Sequence, residues 1–500
     1  MTTFKKLISL LLAALFCISI AACATPYGET DGTTAAPAGE SDTAPVVTED
    51  PDAPKYDENG YRLSDLPELN FNDEVFTVLY WKDVEMPEYE SEGPNGQLVN
   101  DAIYTRNSNV EGKLHVTLAW EKTAGNGSNI NNYVSVVENA FKSGGADYDM
   151  LSSYSRTTAK CALDGYVADM TDLPYLNFEM PWWPESLLDI VPIGGRIYFA
   201  SGDASINVLH FMYGIYYNKD LITNYNLEDP VKLVDEDKWT IAKLQELCTG
   251  IYQDVNQNNQ KDVDDIYGFT TVNYGLDAFY TGSGLRLVEN EGGDTLLTIS
   301  EDFYSDKAVD LSKTLGGWFK TQDAWVNGSH ETPFVNGRAI FDQNRCYLAD
   351  RKLQDVTFKY GILPTPKYDE NQKDFISVDG NPFSLYAIYG LSENKERAAA
   401  VLECWASEAY RTTTPAQFEL NMKAKYSESS DESRMYDIIR STICFDLGRL
   451  FNVQLSDITD IFFKCAETDG NWKLTSKSFR KVLTGQITTV SEAFVTQQAS

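Results

Sequence analysis

Three apolar stretches, VFTVLYW (residues 75–81), HVTLAWE (residues 115–121) and YDMLSSY (residues 148–154), decide the fold of this 500-residue chain. Each stretch is rich in β-branched and aromatic residues, which predicts a strand. Between them, apolar residues recur at helical spacing, which predicts a helix after each of the first two strands. A β-α-β-α-β order indicates an α/β fold with a parallel sheet and helices on both faces.

A second series of the same kind follows along the chain. It begins at FMYGIYYNKDL (residues 211–221) and continues through a predicted helix at residues 239–253 and a strand at residues 266–272. The length is sufficient for two such domains. We therefore predict two lobes of similar architecture, joined by crossing strands.

The first residues of the chain are typical of an export signal. Lys5 and Lys6 precede an apolar run over residues 7–20, and small residues then lead to Cys23. The sequence IAAC at this point resembles a bacterial lipobox, which implies cleavage after residue 22 and acylation of Cys23. An ordinary secretory signal is the alternative. We predict a signal peptide over residues 1–22 and a protein held by lipid on the extracellular face of the membrane.

An acidic segment follows the predicted signal. Residues 24–54 contain no Lys or Arg and few apolar side chains, so they cannot bury enough surface to fold. We predict a disordered tether over residues 23–65. The whole chain has 41 basic and 74 acidic residues and a net charge of −33, which argues against nucleic acid and against anionic lipid as partners.

Several segments together resemble the extracellular solute-binding proteins of ABC importers, of the sugar-binding group. They occur in this order: IGGRIYFASGD (193–203), GIYYNKDLI (214–222), FVNGRAIFD (334–342), YGILPTPKYDENQ (360–372), TTTPAQFELNMKAKY (412–426) and MYDIIRSTICFDLG (435–448). The resemblance implies a two-lobed periplasmic-binding-protein-like fold of type II and a monomer that delivers a solute, often a mono- or oligosaccharide, to an ABC permease. It places lobe 1 at residues 66–205 plus 338–380, and lobe 2 at residues 206–337 plus 381–500.

Within the second series, the loop DVNQNNQKDVDD has the oxygen spacing of an EF-hand. Counting from Asp254, the ligand positions are Asp254, Asn256, Asn258, Gln260 (through its carbonyl), Asp262 and Asp265. Position 6 is Asn259 rather than Gly, and position 12 is Asp rather than Glu. The alternative is an Asx-turn without metal. We favour a structural Ca²⁺ site of weak affinity that stiffens the second lobe.

Candidate ligand-binding residues follow from the strand ends, because open α/β sheets bind ligands beyond the carboxyl ends of their strands. Aromatic rings suit the C–H faces of a sugar, and carboxylates and amides suit its hydroxyl groups. The candidates are Trp81, Tyr154, Ser155, Asp203, Asn273, Tyr274, Asp342, Asp379 and Asn381. No basic residue is among them, which argues against an anionic ligand.

Two other functions remain open at this point. A glycosidase would use a pair of carboxylates, but in a chain with 74 acidic residues some pair always looks suitable. The three histidines do not form an HExxH motif, and neither a GxSxG motif nor a P-loop is present. We therefore predict a protein without enzymatic activity. A surface adhesin or a ligand sensor would have the same fold as a transport receptor.

Overall fold

The computed structural model describes residues 54–290 and 297–498. The predicted signal peptide, the predicted lipidation site Cys23 and residues 24–53 of the tether lie outside this range. Among the described residues, none of the helices has both the length and the apolar character that crossing a membrane requires.

Residues 54–65, which the sequence analysis assigned to the disordered tether, take part in the fold. Tyr56 and Arg62, inside the predicted tether, form an antiparallel bridge. The ring of Tyr61 packs edge-on against Tyr410, with 5.4 Å between ring centroids. The prediction of a disordered tether is therefore wrong for this segment, whose Tyr61 ring is anchored on the folded body.

Strands of the described residues are β1 (Glu74–Trp81), β2 (Val116–Thr123), β3 (Met150–Tyr154), β4 (Tyr213–Asn218), β5 (Tyr267–Thr271), β6 (Val288–Glu289), β7 (Thr298–Ile299), β8 (Ala324–Val326), β9 (Ala339–Arg345), β10 (Tyr360–Leu363), β11 (Ser377–Val378), β12 (Ser384–Ile388) and β13 (Ile443–Cys444).

The α-helices are α1 (Leu98–Leu114), α2 (Ile130–Lys142), α3 (Ser155–Leu163), α4 (Glu185–Leu188), α5 (Ile206–Phe211), α6 (Lys219–Asn224), α7 (Pro230–Asp235), α8 (Ile241–Cys248), α9 (Leu276–Gly282), α10 (Asp306–Phe319), α11 (Glu331–Val335), α12 (Tyr347–Lys352), α13 (Lys395–Arg411), α14 (Ala424–Tyr426), α15 (Ser430–Ser441), α16 (Leu447–Leu450), α17 (Ile458–Glu467) and α18 (Trp472–Gln498). Short 3₁₀ turns occupy Asn273–Gly275 and Glu301–Tyr304, and a π-helix occupies Pro415–Lys423.

The first sheet has the order β12-β3-β1-β2. Strand β1 pairs in parallel with both β2 and β3, and β12 joins β3 antiparallel. This confirms the β-α-β-α-β order predicted from the first three stretches. Because β2 and β3 flank β1 on opposite sides and such crossovers are right-handed, α1 and α2 cover opposite faces of the sheet. The apolar stripe of α1, including Ile103, Val110 and Leu114, is buried as its spacing indicated.

The second sheet has the order β10-β4-β9-β5-β8. Strands β9, β5 and β8 are parallel, whereas β4 pairs antiparallel with β9 and β10. The predicted mostly parallel character therefore holds for the first sheet and for half of the pairings in the second. Every residue of β4 and β5 is buried, as expected for a sheet with helices on both faces.

The sheet pairings correct the predicted division into lobes. Residues 338–380 were assigned to lobe 1, but β9 and β10 within them belong to the second sheet. Residues 381–500 were assigned to lobe 2, but β12 within them pairs with β3 of the first sheet over Ser384–Ile388. The chain therefore returns to the first lobe after β10, about forty residues later than the resemblance implied.

Two segments cross between the lobes and run side by side. Ala200 bridges to Tyr386, and Met212 bridges to Asp379, both antiparallel. We call residues 200–212 and 379–386 the crossing segments. The two segments pair as strands only at these bridges, because helix α5 occupies Ile206–Phe211 of the first segment, and their role as a hinge stays a prediction.

A buried carboxyl group ties both crossing segments to the loop after β1. Glu88 is fully buried. Ser205 Oγ and the amide of Asn207 donate to its Oε2 at 2.8 and 3.2 Å. Ser384 Oγ, from the other segment, donates to its Oε1. One side chain of the first lobe thus bonds to both crossing segments.

The C-terminal helices spread over both lobes. Helix α13 packs on α1, α15 packs on β10, and α17 packs on α10. These contacts give the first and the second lobe a shared outer layer.

Candidate functional site

The carboxyl edge of the second sheet carries an aromatic cage around an arginine. Arg345 is the last residue of β9, and Tyr274 lies in the turn that follows β5. The guanidinium carbon of Arg345 lies 5.1, 5.3 and 5.6 Å from the ring centroids of Tyr274, Phe211 and Tyr213. These distances are within the range of cation–π attraction. Arg345 Nε also donates to Tyr213 Oη at 3.3 Å.

Tyr274 is the part of this cage that reaches solvent, since it is 45% exposed. Partial burial raises the pKa of its hydroxyl, and Glu85 of the first lobe contributes in the same direction. Asn273 beside it is exposed, and its Oδ1 accepts from the amide of Tyr274. Both residues were predicted from the end of β5, and the structure places both at that edge.

The second crossing segment places a carboxyl group without partners beside Arg345. Asp379 is fully buried, and neither of its side-chain oxygens has a hydrogen-bond partner among the described residues. Burial raises its pKa well above the usual range, although Arg449 and Arg345 oppose the shift. A Cβ at Gly380 would lie 2.9 Å from Arg345 Nε, so Arg345 passes directly over this segment.

Buried polar atoms without partners are rare in native proteins, and each requires an explanation such as a ligand or a water. Two more of them lie nearby in the fold. Asn381 Oδ1 has no partner among the described residues, and neither has Gln343 Nε2. Gln343 is on β9, and its Oε1 accepts from Thr271 at the end of β5. Polar atoms without partners among the described residues therefore lie on the second crossing segment and on β9 of the second sheet.

Ionic contacts join this region to the first lobe. Arg449 is paired with Asp277 at 3.2 Å and also donates to the Asp379 carbonyl. Arg156, at the start of α3 in the first lobe, donates through Nε to the Arg449 carbonyl at 2.9 Å. We call Arg156, Asp277, Arg345, Asp379 and Arg449 the interlobe cluster.

The predicted first-lobe residues lie next to this cluster. Ser155 Oγ donates to the carbonyl of Asn381 at 2.7 Å, which joins the end of β3 to the crossing segment. Tyr154 is 7% exposed, and a Cβ at Gly127 would lie 3.5 Å from its ring. The structure therefore brings together Tyr154, Ser155, Asn273, Tyr274, Asp379 and Asn381, at or beside the cluster.

Two predicted ligand residues are in the core instead. Trp81 has no exposed surface, and its Nε1 donates to Tyr89 Oη and Ser384 Oγ, each at 2.9 Å. Trp81 is the last residue of β1, as predicted, but its side chain is buried in the core of the first lobe. We therefore correct the prediction that Trp81 lines a cleft.

Asp342 is likewise fully buried and is saturated with partners. Thr270 Oγ1 donates to it at 2.7 Å, Asn344 Nδ2 donates at 3.0 Å, and His330 Nδ1 lies 2.8 Å away. The strand that contains it continues for three more residues, so Asp342 is not at the strand end. This prediction is also corrected.

Asp203 borders a different cavity, of about 380 Å³, next to the first crossing segment. It accepts from Thr414 at 2.8 Å and pairs with Arg440 at 2.9 Å. Trp182 and Phe445 line the same cavity. Asp203 therefore lies apart from the other predicted ligand residues.

The predicted calcium loop folds as a series of Asx-turns. Asp254 accepts from the amides of Asn258 and Asn259 at 3.1 and 2.8 Å, and Asn259 has a positive φ of 60°. Asn256 and Asn258 donate their amide groups to Asp262 Oδ2. In the described part of the chain, no three His, Cys, Asp or Glu side chains are grouped so as to hold a metal ion.

The remaining predicted ligand, Asp265, is fully buried and accepts from the amide of Val255 at 3.2 Å and from Tyr252 Oη at 3.0 Å. Asx-turns account for the loop without metal, and Ca²⁺ stays a prediction.

Arginines of the interlobe cluster are the residues that the sequence reasoning missed. We took Asp342 and Gln343 to follow a strand that ends at Phe341, whereas the strand continues to Arg345. Arg156 directly follows the predicted Ser155, so a strand end read one residue further would have included it. Arg449 comes from a C-terminal helix, and nothing in its local sequence signals that position.

Comparisons with known proteins show the fold. No family model matches the sequence, and no curated protein sequence matches it. A cyclo/maltodextrin-binding protein solved with maltotetraose superimposes with a TM-score of 0.56 at 13% identity, over 82% of this chain and 97% of that one.

Two further matches come from Listeria monocytogenes. The maltose-binding protein MalE, solved with maltose, gives a TM-score of 0.55 at 16% identity, over 83% of this chain and 98% of that one. An ABC substrate-binding protein in complex with cycloalternan gives 0.53 at 14% identity, over 83% and 99%. The chain has the fold of ABC substrate-binding proteins. Nearly the whole of each solved structure is matched, so the substrate-binding-protein fold covers both lobes and the crossing segments between them.

Proposed function

We propose that this protein is an extracellular solute-binding receptor that captures a carbohydrate between its two lobes and delivers it to an ABC permease. The observation that carries the proposal is the interlobe position of unused hydrogen-bonding groups beside an exposed aromatic ring, in a fold shared with sugar-binding proteins. Tyr274 offers a ring face for stacking, and Asp379, Asn381 and Gln343 offer unpaired polar atoms.

Capture works by a shift between open and closed arrangements. A solute that touches both walls favours the closed state, because only there does it contact Tyr274 of the second lobe and Tyr154 or Ser155 of the first. The crossing segments are the elements that bend. The interlobe cluster supplies direct links between the lobes, since Arg156 donates to Arg449.

The proposal includes no catalytic step. Asp277, the carboxylate closest in the chain to the exposed Tyr274, is held in an ion pair with Arg449. The solved proteins with this fold that are named above are binding proteins. Anchoring through an acylated Cys23 is part of the same proposal and keeps the receptor beside its permease.

The test is a calorimetric and thermal-shift screen of the purified protein against neutral and acidic oligosaccharides. We expect at least one sugar to bind saturably and to be recovered unchanged. In Tyr274→Ala the affinity falls about 2- to 13-fold, the equivalent of the 0.5–1.5 kcal/mol of one aromatic contact. Tyr104→Ala is the matched control, because Tyr104 is also an exposed tyrosine (39%) but lies on α1.

Two results would contradict the proposal. One is the absence of binding across the whole panel. The other is release of a hydrolysis product from a bound sugar, which would favour the glycosidase alternative.

A further inference from the structure

Arg345 is a half-buried guanidinium without a carboxylate partner. None of the ion pairs among the described residues includes it, whereas Arg397 and Arg449, which are buried more deeply, are both paired. Its neighbours are three aromatic rings and the Tyr213 hydroxyl. A guanidinium that is partly withdrawn from water and has no carboxylate beside it is suited to pair with an anionic ligand.

A second arginine, Arg156 of the first lobe, likewise has no carboxylate partner within the described part of the chain. Arg156 donates through Nε to a carbonyl, and among the described residues it forms no ion pair. It comes from the first lobe, whereas Arg345 comes from the second. Two guanidinium groups that form no ion pair among the described residues therefore approach the interlobe region, one from each lobe.

The remaining charges nearby do not neutralise these two. Asp277 is paired with Arg449. Glu331 is paired with Lys352, and Glu85 is exposed to solvent. The Asp379 carboxyl is held toward its neutral form, because burial raises its pKa. In a chain with a net charge of −33, this leaves a local excess of positive charge at the place where the ligand is proposed to bind.

We propose that the ligand is a carbohydrate that carries an oxyanion, most simply the carboxylate of a uronic acid, bound by Arg345 with Arg156 approaching from the facing lobe. The inference rests on the proposed function and narrows its substrate class. The planar fork of a guanidinium matches the two oxygens of a carboxylate. The ring of Tyr274 stacks on the sugar beside it, and Asp379 donates or accepts a hydrogen bond with a hydroxyl group. The sequence analysis argued against an anionic ligand because none of its candidate residues was basic. The structure adds Arg345 and Arg156 to those candidates.

The experiment compares ligands that differ only in charge. Isothermal titration calorimetry at pH 7 and low salt is run with trigalacturonate and with its neutral methyl ester. Glucose and glucose 6-phosphate form a second pair, which distinguishes a carboxylate from a phosphate as the source of the oxyanion. We expect the charged member of at least one pair to bind about 10- to 100-fold more tightly than the neutral one, as charged hydrogen bonds allow.

Variants locate the effect. Arg345→Gln is expected to remove most of the preference for the charged sugar, because the affinity for the charged member of the pair falls further than the affinity for the neutral member. Arg338→Gln is the control, because Arg338 immediately precedes the same strand, at its opposite end, and is paired with Asp264 at 2.6 Å. Arg156→Gln provides a second test in case Arg345→Gln does not fold.

The outcomes separate this inference from the proposed function. If neutral sugars bind as tightly as charged ones, the inference is overturned while the receptor function stands. If a charge preference exists but survives in Arg345→Gln and Arg156→Gln, the assignment to these arginines is wrong. If no sugar of either kind binds, the inference falls together with the proposed function.

Discussion

Replacing Asp379 by asparagine should stabilise the protein while weakening its affinity for the sugar. Asp379 is buried and its side-chain oxygens form no hydrogen bond among the described residues, so Arg449 and Arg345 offset only part of the cost of desolvating its carboxyl group. An amide of the same shape removes the charge, and we expect the free energy of unfolding at pH 7 to rise by about 1–3 kcal/mol. At about 2 cal/mol/K of unfolding entropy per residue, this corresponds to a Tm increase of about 1–3 °C.

The effect should depend on pH in one direction. Burial raises the pKa of Asp379 in the folded state, so the unfolded chain releases this proton first as the pH rises. The wild type therefore loses stability relative to Asp379→Asn as the pH increases above about 4, where an unfolded Asp ionises. Below that pH the two proteins should be equally stable. Urea denaturation at pH 4, 6 and 8 measures the difference.

Asp342→Asn is the matched control. Asp342 is as fully buried as Asp379 but interacts with Thr270, His330 and Asn344. Its substitution should therefore destabilise the protein, by about 1.5–3 kcal/mol, because hydrogen bonds to a charged group are lost. If Asp379→Asn destabilises the protein as much as Asp342→Asn does, the reasoning about its unpaired oxygens is refuted.

The sugar affinity should change in the opposite sense to the stability. Asp379→Asn replaces one acceptor oxygen by a donor, so a ligand hydroxyl loses about 0.5–1.5 kcal/mol, or about 2- to 13-fold in Kd. Calorimetry with the best ligand of the screen measures it. An unchanged Kd would show that Asp379 does not contact the sugar.

Three further predictions concern other sites. Glu403 is buried beside Trp183, and burial raises its pKa to about 7; wild-type stability should therefore fall by up to about 3 kcal/mol between pH 4.5 and 7 relative to Glu403→Gln, as measured by urea denaturation. Gly202→Ala should destabilise the protein by about 2–4 kcal/mol, since φ is +136° and a Cβ would lie 2.3 Å from the Trp182 carbonyl oxygen; Gly485→Ala, in open space on α18, should not destabilise it. If the Asp254 loop binds Ca²⁺ with a Kd of about 10⁻⁴ M, 10 mM CaCl₂ should add about 2.7 kcal/mol of stability; the gain should vanish in Asp254→Asn and persist in Asp264→Asn, and a melting curve unchanged by calcium would end the prediction.

Local periodicity was sufficient to predict the secondary structure of the first lobe. Strand β1 and the stripe of α1 were read correctly because their apolar patterns are set by the sheet and helix on which they lie. The assignment of residues 338–380 was wrong because it depended on which sheet accepts β9 and β10. That choice is made by pairing with β4 and β5, which lie far away in the sequence.

The prediction of ligand-binding residues depended on locating the ends of strands, and it failed where a strand end was misplaced. Asp342 was predicted to follow a strand end, but it lies inside β9, where side chains from β5 and from the segment before α11 form hydrogen bonds with its carboxyl group. Such partners cannot be read from local sequence, and this is why Arg345 was missed. At β5 the strand does end before Asn273 and Tyr274, and there the prediction placed the residues at the correct edge.

The buried Glu88 carboxyl group can affect the affinity for the solute although it does not contact the solute. Since Ser205, Asn207 and Ser384 all donate to this one carboxyl group, a movement of one crossing segment strains hydrogen bonds that hold the other. A substitution such as Glu88→Gln should change the fraction of molecules that can adopt the closed, binding-competent conformation. The apparent dissociation constant is inversely proportional to that fraction. A substitution in the crossing segments can therefore change the affinity without touching the solute.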